Sequence, residues 1–95
     1  MIRNVVLGRL HPDASAALLD EALTALQQVR VDGLLEMHVG RDAGLRAANW
    51  DYAITVDLVD ADAYRRYDED EEHNRVRREL FAPVSSEIAR AQFVV

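Results

Sequence analysis

The chain of 95 residues contains no cysteine and no lysine, and it has only two prolines and few aromatic side chains. Without cysteine it can form neither a disulfide framework nor a thiolate metal site. No apolar stretch approaches the roughly 20 consecutive residues that a membrane-spanning helix needs. The N-terminus also shows no signal-peptide pattern. These absences predict a cytoplasmic protein without a membrane segment.

The charge of the chain is acidic, with 17 aspartates and glutamates against 11 basic residues and a formal net charge of -6. All the basic residues are arginines, and they are scattered among the acids rather than gathered into a stripe. The phosphates of a nucleic acid, or of an acidic membrane surface, would therefore be repelled. We expect no nucleic-acid partner and no membrane partner.

The size of the chain predicts one domain, residues 1–95, that gains stability by association. A domain this small buries only about two thirds of the surface that its unfolded chain exposes. Hydrophobic residues make up 49% of the sequence, but only 6% are aromatic, so a single core is small. Because association of folded copies adds to their stability, we expect a homo-oligomer.

Hydrophobic periodicity predicts the order strand, helix, strand, strand, helix, strand. Alternating apolar residues indicate the strands, and apolar residues at spacings of three and four indicate the helices. Asp13 or Ser15 is expected to cap the first helix, and Asp60 the second. An acidic run, residues 68–72, is expected to interrupt the second helical region. The predicted strands are residues 2–10, 34–39 and 50–58, and a last strand whose start the pattern does not define. The first predicted helix runs to about Arg30, and the second covers residues 61–67 and is continued by 73–83.

This order is the split βαβ pattern of an α+β, ferredoxin-like βαββαβ fold. Its four-stranded antiparallel sheet carries helices on one side only, so the other side needs a cover. A two-fold partner that packs its own sheet face to face against this side supplies one. The predicted assembly is therefore a homodimer with two facing sheets.

Two side chains that exchange or donate protons, Tyr67 and His73, flank the acidic run. In a pocket under the helices, a neutral His73 could take a proton from a carbon next to a carbonyl group. The Tyr67 hydroxyl would donate a hydrogen bond to the carbonyl oxygen. A positioned base is typically worth a factor of roughly 10² to 10⁴ in rate, and this chemistry needs no cofactor and no metal.

Three residues of the predicted sheet are candidates for ligand binding: Asn4, Tyr52 and Trp50. Asn4 stands among aliphatic residues, where an amide is either hydrogen-bonded within the core or faces a cavity. Tyr52 and Trp50 share one face of the third predicted strand, where aromatic rings pack in a core or form a platform for a ligand. Asn4 and Tyr52 could orient a ligand from adjacent strands.

The acidic run argues against a general base at position 73. Carboxylates close to an imidazole favour its protonated form, which lacks the lone pair that a base needs, unless they point into water and are screened. In a purely structural interpretation, His73 caps or opens a helix, Tyr67 packs on the sheet, and the acids form a solvated loop. A divalent cation at the acidic run is a further alternative, although consecutive acids lack the alternate spacing of a calcium loop.

The residues resemble the stress-responsive A/B barrel (Dabb) family over nearly the whole chain. The resemblance rests on Met-Ile-Arg-Asn-Val-Val-Leu at the start, Asn-Trp-Asp-Tyr-Ala-Ile-Thr-Val-Asp-Leu around the third strand, Ala-Tyr-Arg-Arg-Tyr before the acidic run, His73 six residues past Tyr67, and Pro83 after the last helix. It implies a ferredoxin-like protomer and a dimeric α/β barrel made of two facing sheets.

The resemblance also bears on the candidate site. Most Dabb proteins have no established reaction, and some are known as stress-associated oligomers. One plant member performs an intramolecular aldol condensation on a polyketide chain with a tyrosine and a histidine, which Tyr67 and His73 match in type and spacing. Two further pocket histidines of that member correspond here to Asn4 and Tyr52. The family often has His-Pro where this chain has Asp70-Glu71.

Three classes of function therefore remain open. The first is a cofactor-independent enzyme of the polyketide cyclase or lyase kind, which acts on a small apolar carbonyl compound. The second is a non-catalytic binding module or stress-associated dimeric barrel, and the third is a metal-dependent regulator. The predicted catalytic residues are His73 and Tyr67, and the predicted ligand-binding residues are Asn4, Tyr52 and Trp50. No metal ligands and no cofactor are predicted.

Overall fold

The computed structural model describes residues 1–95 and has the predicted ferredoxin-like βαββαβ order, which is confirmed. None of its helices has both the length and the apolar character needed to cross a membrane. The elements are β1 (Ile2–Leu10), α1 (Ala16–Leu26), β2 (Leu34–Arg41), β3 (Tyr52–Leu58), α2 (Ala61–Glu69), α3 (Glu71–Val76) continued by a π-helical turn (Arg77–Phe81), and β4 (Ser85–Val94).

The four strands form one antiparallel sheet in the order β2-β3-β1-β4. In its register, Asn4 of β1 lies opposite Val56 of β3 and Gln92 of β4. Four residues further along β1, Gly8 lies opposite Tyr52. Directly opposed residues point to the same side of a sheet, so Asn4 and Tyr52 face the same side, as predicted.

Thirteen buried hydrophobic residues form one cluster between the sheet and the helices. Helix α1 contributes Leu19, Ala22, Leu23 and Leu26, the apolar stripe expected of an amphipathic helix on a sheet. Each large side chain that is fully buried stabilises the fold by about 1.5 to 3 kcal/mol relative to exposure. The cluster therefore fixes how the helices lie on the sheet.

Helix α1 begins as predicted but ends earlier. The Ser15 hydroxyl accepts a hydrogen bond from the Leu18 N–H at 3.2 Å, so Ser15 rather than Asp13 is the cap. The helix ends at Leu26, whereas the prediction placed its end at about Arg30. Beyond Leu26 the N–H groups of Gln28 and Val29 donate to carbonyls three residues back, at 3.1 Å, which makes a tighter turn than an α-helix.

The acidic run belongs to the helices, so the prediction that it forms a solvated loop between them is wrong. Asp68 and Glu69 end α2, and Glu71 and Glu72 begin α3. Between them, the Asp70 carboxylate accepts a hydrogen bond from the His73 N–H at 2.9 Å and caps α3. Asp70 has an extended backbone, which turns the chain between the two helices.

The other side of the sheet carries small and apolar side chains together with charged pairs, of which Arg3 and Asp57 are the closest. We call this surface the open side. It is formed on β1, β3 and β4 by Arg3, Val5, Leu7, Ala53, Thr55, Asp57, Ala89, Ala91 and Phe93, and on β2 by Glu36, His38 and Gly40. Leu7 is 37% exposed and Phe93 is 49% exposed there. The guanidinium group of Arg3 donates to both carboxylate oxygens of Asp57 at 2.7 and 3.0 Å and lowers the pKa of that carboxyl.

Candidate functional site

A cavity of about 60 Å³ opens between the helices and the side of the sheet that they cover. One buried water needs about 10 to 15 Å³ of such space, so the cavity has room for several waters or a small organic molecule. The sheet contributes Asn4, Tyr52 and Arg90 to its wall, and the helices contribute Tyr67 and His73 among others. Four of the five residues predicted for the site therefore line one cavity.

Tyr67 and His73 stack against each other on the helical wall. Their ring centroids are 4.1 Å apart and the ring planes are inclined by 31°. Tyr67 lies in the last turn of α2 and His73 in the first turn of α3. The extended backbone of Asp70 interrupts the helix between them, and the two rings meet although a straight helix would separate them by more than one turn.

The imidazole of His73 is held in its neutral form. Burial and the charge of Arg77 lower the pKa of His73 below its ordinary value of 6.5, although Asp68 and Asp70 act in the opposite direction. The nearby acids thus favour the protonated form, as the sequence indicates, but burial and Arg77 outweigh them. The Asp70 carboxylate is occupied in capping α3, and Glu72 is bound by Arg75 at 2.6 and 3.0 Å.

The phenol of Tyr67 is held in its protonated form. Its side chain is only 3% exposed, and this burial raises the pKa of Tyr67 well above the ordinary value of 10.0. A neutral imidazole is a proton acceptor and an un-ionised phenol is a hydrogen-bond donor. The pair therefore offers a base and a donor side by side at neutral pH.

Asn4 and Tyr52 are already hydrogen-bonded within the protein while they line the cavity. The Asn4 side-chain oxygen accepts from the Gln92 amide at 2.8 Å, and Asn4 is 5% exposed. The Tyr52 hydroxyl lies 2.7 Å from the Ser85 hydroxyl. Both alternatives for Asn4, a bonded core amide and a cavity wall, are thus true at once.

Trp50 lies outside this cavity and lines a second pocket, to which Tyr52 also contributes, so the structure does not bring Trp50 together with the other four predicted residues. Strand β3 starts at Tyr52, because the Asp51 N–H donates to the Gly8 carbonyl at 2.8 Å and the Asp51 carboxylate accepts from the Leu10 N–H at 2.7 Å. These bonds end the alternation before Trp50. Its indole instead lies under the Arg9 guanidinium, 4.1 Å from the ring centroid.

The sequence model of the stress responsive A/B barrel domain, or Dabb, matches residues 2–95. The chain belongs to the Dabb family. The resemblance stated from the sequence is thus confirmed. No curated protein matches this Dabb chain.

Solved structures share the fold of this Dabb protein. A dimeric ferredoxin-like protein of unknown function from Thermobifida fusca is 27% identical, with a TM-score of 0.92 over 99% of this chain and 90% of that chain. A Dabb family protein from Mesorhizobium loti is 21% identical, with a TM-score of 0.76 over 99% and 95%. The hydroxynitrile lyase from Passiflora edulis is 18% identical, with a TM-score of 0.81 over 99% and 92%.

Two arginines of the Dabb site, Arg77 and Arg90, were missed by the sequence reasoning although both line the cavity. Arg77 follows His73 by four residues, a helical spacing that could have indicated it. Arg90 lies opposite Val6 in the register and so on the same side of the sheet as Asn4. The side of the sheet on which Arg90 lies can be predicted only once the start of β4 is known.

The acidic run does not converge on one point. Asp68 lines the cavity, Asp70 caps α3, and Glu72 pairs with Arg75. No three histidine, aspartate or glutamate side chains of this Dabb chain lie close enough together to hold a metal ion. The alternative of a cation at the acidic run therefore gains no support from the geometry.

Proposed function

We propose that this Dabb protein binds a small, largely apolar carbonyl compound in the cavity and acts on it as a cofactor-independent enzyme of the cyclase or lyase kind. The observation that carries the proposal is the stacking of Tyr67 on His73 at 4.1 Å in the wall of the cavity. A neutral base and a protonated donor in a partly enclosed pocket suit proton transfer next to a carbonyl group.

In the proposed step, one ring nitrogen of His73 takes the proton from the carbon next to the carbonyl. The electron pair of the broken C–H bond forms a carbon–carbon double bond, and the carbonyl oxygen becomes an enolate oxygen. The Tyr67 hydroxyl donates a hydrogen bond to that oxygen, where negative charge develops. A cyclase would join the enolate carbon to a second carbonyl of the same molecule, and His73 would return its proton to the new alkoxide.

The comparison with solved structures supports an enzymatic use of the fold without identifying the substrate. The Passiflora edulis protein of the same fold is a hydroxynitrile lyase. At 18% identity this likeness concerns the fold, so the lyase alternative rests on the Tyr67 and His73 geometry of this chain. In a lyase, the proton held by His73 would pass to the leaving group.

We also propose that the protein is a homodimer whose two open sides face each other. The protein from Thermobifida fusca is described as dimeric and shares the fold at 27% identity. Leu7 and Phe93 are exposed on the open side of the protomer, and contact with a second sheet would remove them from water. A specific interface of this kind buries about 1,600 Å² in total.

Deuterium exchange at the carbon next to a carbonyl tests the proposed reaction directly. Pentan-2-one in deuterated buffer near neutral pH would be followed by proton NMR with and without the protein. We expect the wild-type protein to accelerate exchange over buffer. His73→Gln removes the base and should lower the protein-dependent rate by roughly 10² to 10⁴, and Tyr67→Phe removes the donor and should also lower it.

The matched control is His11→Gln, the same change at an exposed histidine between β1 and α1, which should exchange at the wild-type rate. Two results would count against an enzyme: no acceleration by the wild-type protein, or equal rates for His73→Gln and His11→Gln. Either would leave the non-catalytic dimeric barrel as the better interpretation.

A further inference from the structure

Five of the eleven arginines of this protein have a carboxylate partner. Arg3, Arg9, Arg41, Arg65 and Arg75 each form an ion pair, with Asp57, Glu87, Asp20, Asp62 and Glu72 respectively. Arg77 and Arg90 take part in none of these pairs, and both line the cavity. Of the arginines without a carboxylate partner, only these two line the cavity, so two unpaired positive charges meet at one opening of a chain whose formal net charge is -6.

The two arginines approach the cavity from different walls. Arg77 belongs to the π-helical turn that follows α3, and Arg90 belongs to β4. Both are exposed, which places them at the mouth of the cavity rather than in its interior. Both charges also reach the Tyr64 hydroxyl and act to lower its pKa against the stronger effect of burial. Both guanidinium groups therefore lie at the same opening of the cavity.

The charge at this opening is positive by one unit. Asp68 is the one carboxylate among the residues that line the cavity. His73 adds no charge near neutral pH, because burial and Arg77 lower its pKa. Two arginines against one aspartate leave a surplus that matches a monoanion. A doubly charged phosphate would lie next to Asp68 with part of its charge uncompensated. The planar guanidinium group is also suited to bind a carboxylate through two parallel hydrogen bonds.

We propose that the ligand of this cavity is a carboxylate, held at the mouth by Arg77 and Arg90, with its apolar body directed towards Tyr67 and His73. If the proposed reaction is correct, on which this part of the inference rests, the substrate is a small keto acid whose carbonyl group lies at the stacked rings. Binding of the carboxylate itself does not depend on turnover.

A charge-matched pair of probes tests the inference. The dissociation constants of 4-oxopentanoate and of its neutral amide, 4-oxopentanamide, would be measured by protein-observed NMR titration of the full chain. The two compounds have nearly the same shape and differ in charge. We expect the acid to bind about tenfold tighter or more, since a hydrogen bond to a charged group contributes about 1.5 to 3 kcal/mol. Binding of the acid should weaken as salt is added.

Arginine variants test whether Arg77 and Arg90 cause the tighter binding of the acid. Arg77→Gln and Arg90→Gln should each weaken binding of the acid by about tenfold and leave binding of the amide nearly unchanged. Arg78→Gln is the matched control, because Arg78 is an exposed neighbour of Arg77 that does not line the cavity. Thermal unfolding of each variant confirms that it is folded. Equal affinities for acid and amide, no binding of the acid, or equal effects at Arg77 and Arg78 would overturn the inference.

Failure of this inference and failure of the proposed reaction give different results. Charge-selective binding that depends on Arg77 and Arg90, without exchange of the protons next to the carbonyl of 4-oxopentanoate, would leave the carboxylate site standing and contradict the reaction. Exchange that depends on His73, with equal binding of acid and amide, would support the reaction and contradict the carboxylate site.

Discussion

The ring of Tyr52 crosses over Gly8 of the neighbouring strand. A Cβ atom at position 8 would overlap the Tyr52 ring, so only glycine leaves this space open. Beyond Gly8, the Tyr52 hydroxyl reaches the hydroxyl of Ser85 at the start of β4, 2.7 Å away. One tyrosine thus connects β3 to β4 across β1 and forms part of the cavity wall.

Gly8→Ala should therefore destabilise the fold and displace Tyr52. Overpacking of a filled core costs about 1 to 3 kcal/mol, and loss of the bond to Ser85 adds about 1 kcal/mol. The free energy of unfolding in urea measures the effect. Gly40→Ala is the control, because a Cβ atom there would meet nothing within 4 Å. If both variants were equally stable, the crossing of Tyr52 over Gly8 would have no energetic importance.

A second prediction concerns the stability of the protein in mild acid. Burial and Arg77 lower the pKa of His73 below 6.5, and Asp68 and Asp70 oppose this only in part. The unfolded chain, in which the pKa is near 6.5, therefore binds the proton more readily than the folded chain does. The stability that comes from keeping His73 neutral is fully present above about pH 6.5. It is lost as the pH falls from there through the lower pKa of His73 in the folded state.

His73→Gln should remove this dependence. Urea unfolding of the wild-type protein and the variant, measured at a series of pH values on both sides of 6.5, would show a smaller loss for the variant. His11→Gln, at an exposed position between β1 and α1, should lose as much stability as the wild-type protein. Parallel curves for wild type and His73→Gln would mean that the imidazole is not held neutral by the fold.

Asp70 is expected to position the stacked pair of Tyr67 and His73 through the cap of α3. Asp70→Ala removes the acceptor of the His73 N–H and should cost about 0.5 to 2 kcal/mol. It should also lower the rate of proton exchange, because the turn that stacks His73 on Tyr67 is less well fixed. Asp70→Asn keeps a capping side chain and should retain both stability and rate. Equal loss in the two variants would point to the charge of Asp70 rather than to its cap.

The order of the elements could be predicted from the sequence because it depends on local periodicity. The same alternation placed Asn4 and Tyr52 on one side of the sheet. It failed at Trp50, because hydrogen bonds of Asp51 to the end of β1 decide where β3 starts. No local pattern in β3 contains that information.

The electrostatics of the site could not be predicted for a similar reason. The sequence shows that acids lie next to His73, but not which way they point. One of them, Asp70, is directed to the His73 backbone, and another, Glu72, to Arg75. Burial then outweighs the acids that remain near the imidazole. Arg90 was missed because its side of the sheet depends on the register of β4 with β1.

The last prediction concerns the open side and the homodimer. Ala53 is exposed on β3 of the open side, opposite Leu7. Ala53→Glu would place a charge without a partner in the proposed interface, where a buried unpaired charge is strongly destabilising. We expect sedimentation at micromolar concentration to show a dimer for the wild-type protein and mainly monomer for the variant. Ala17→Glu, the same change at an exposed position of α1, should remain dimeric. A monomeric wild-type protein would contradict the proposed assembly, because the exposed Leu7 and Phe93 would then face water.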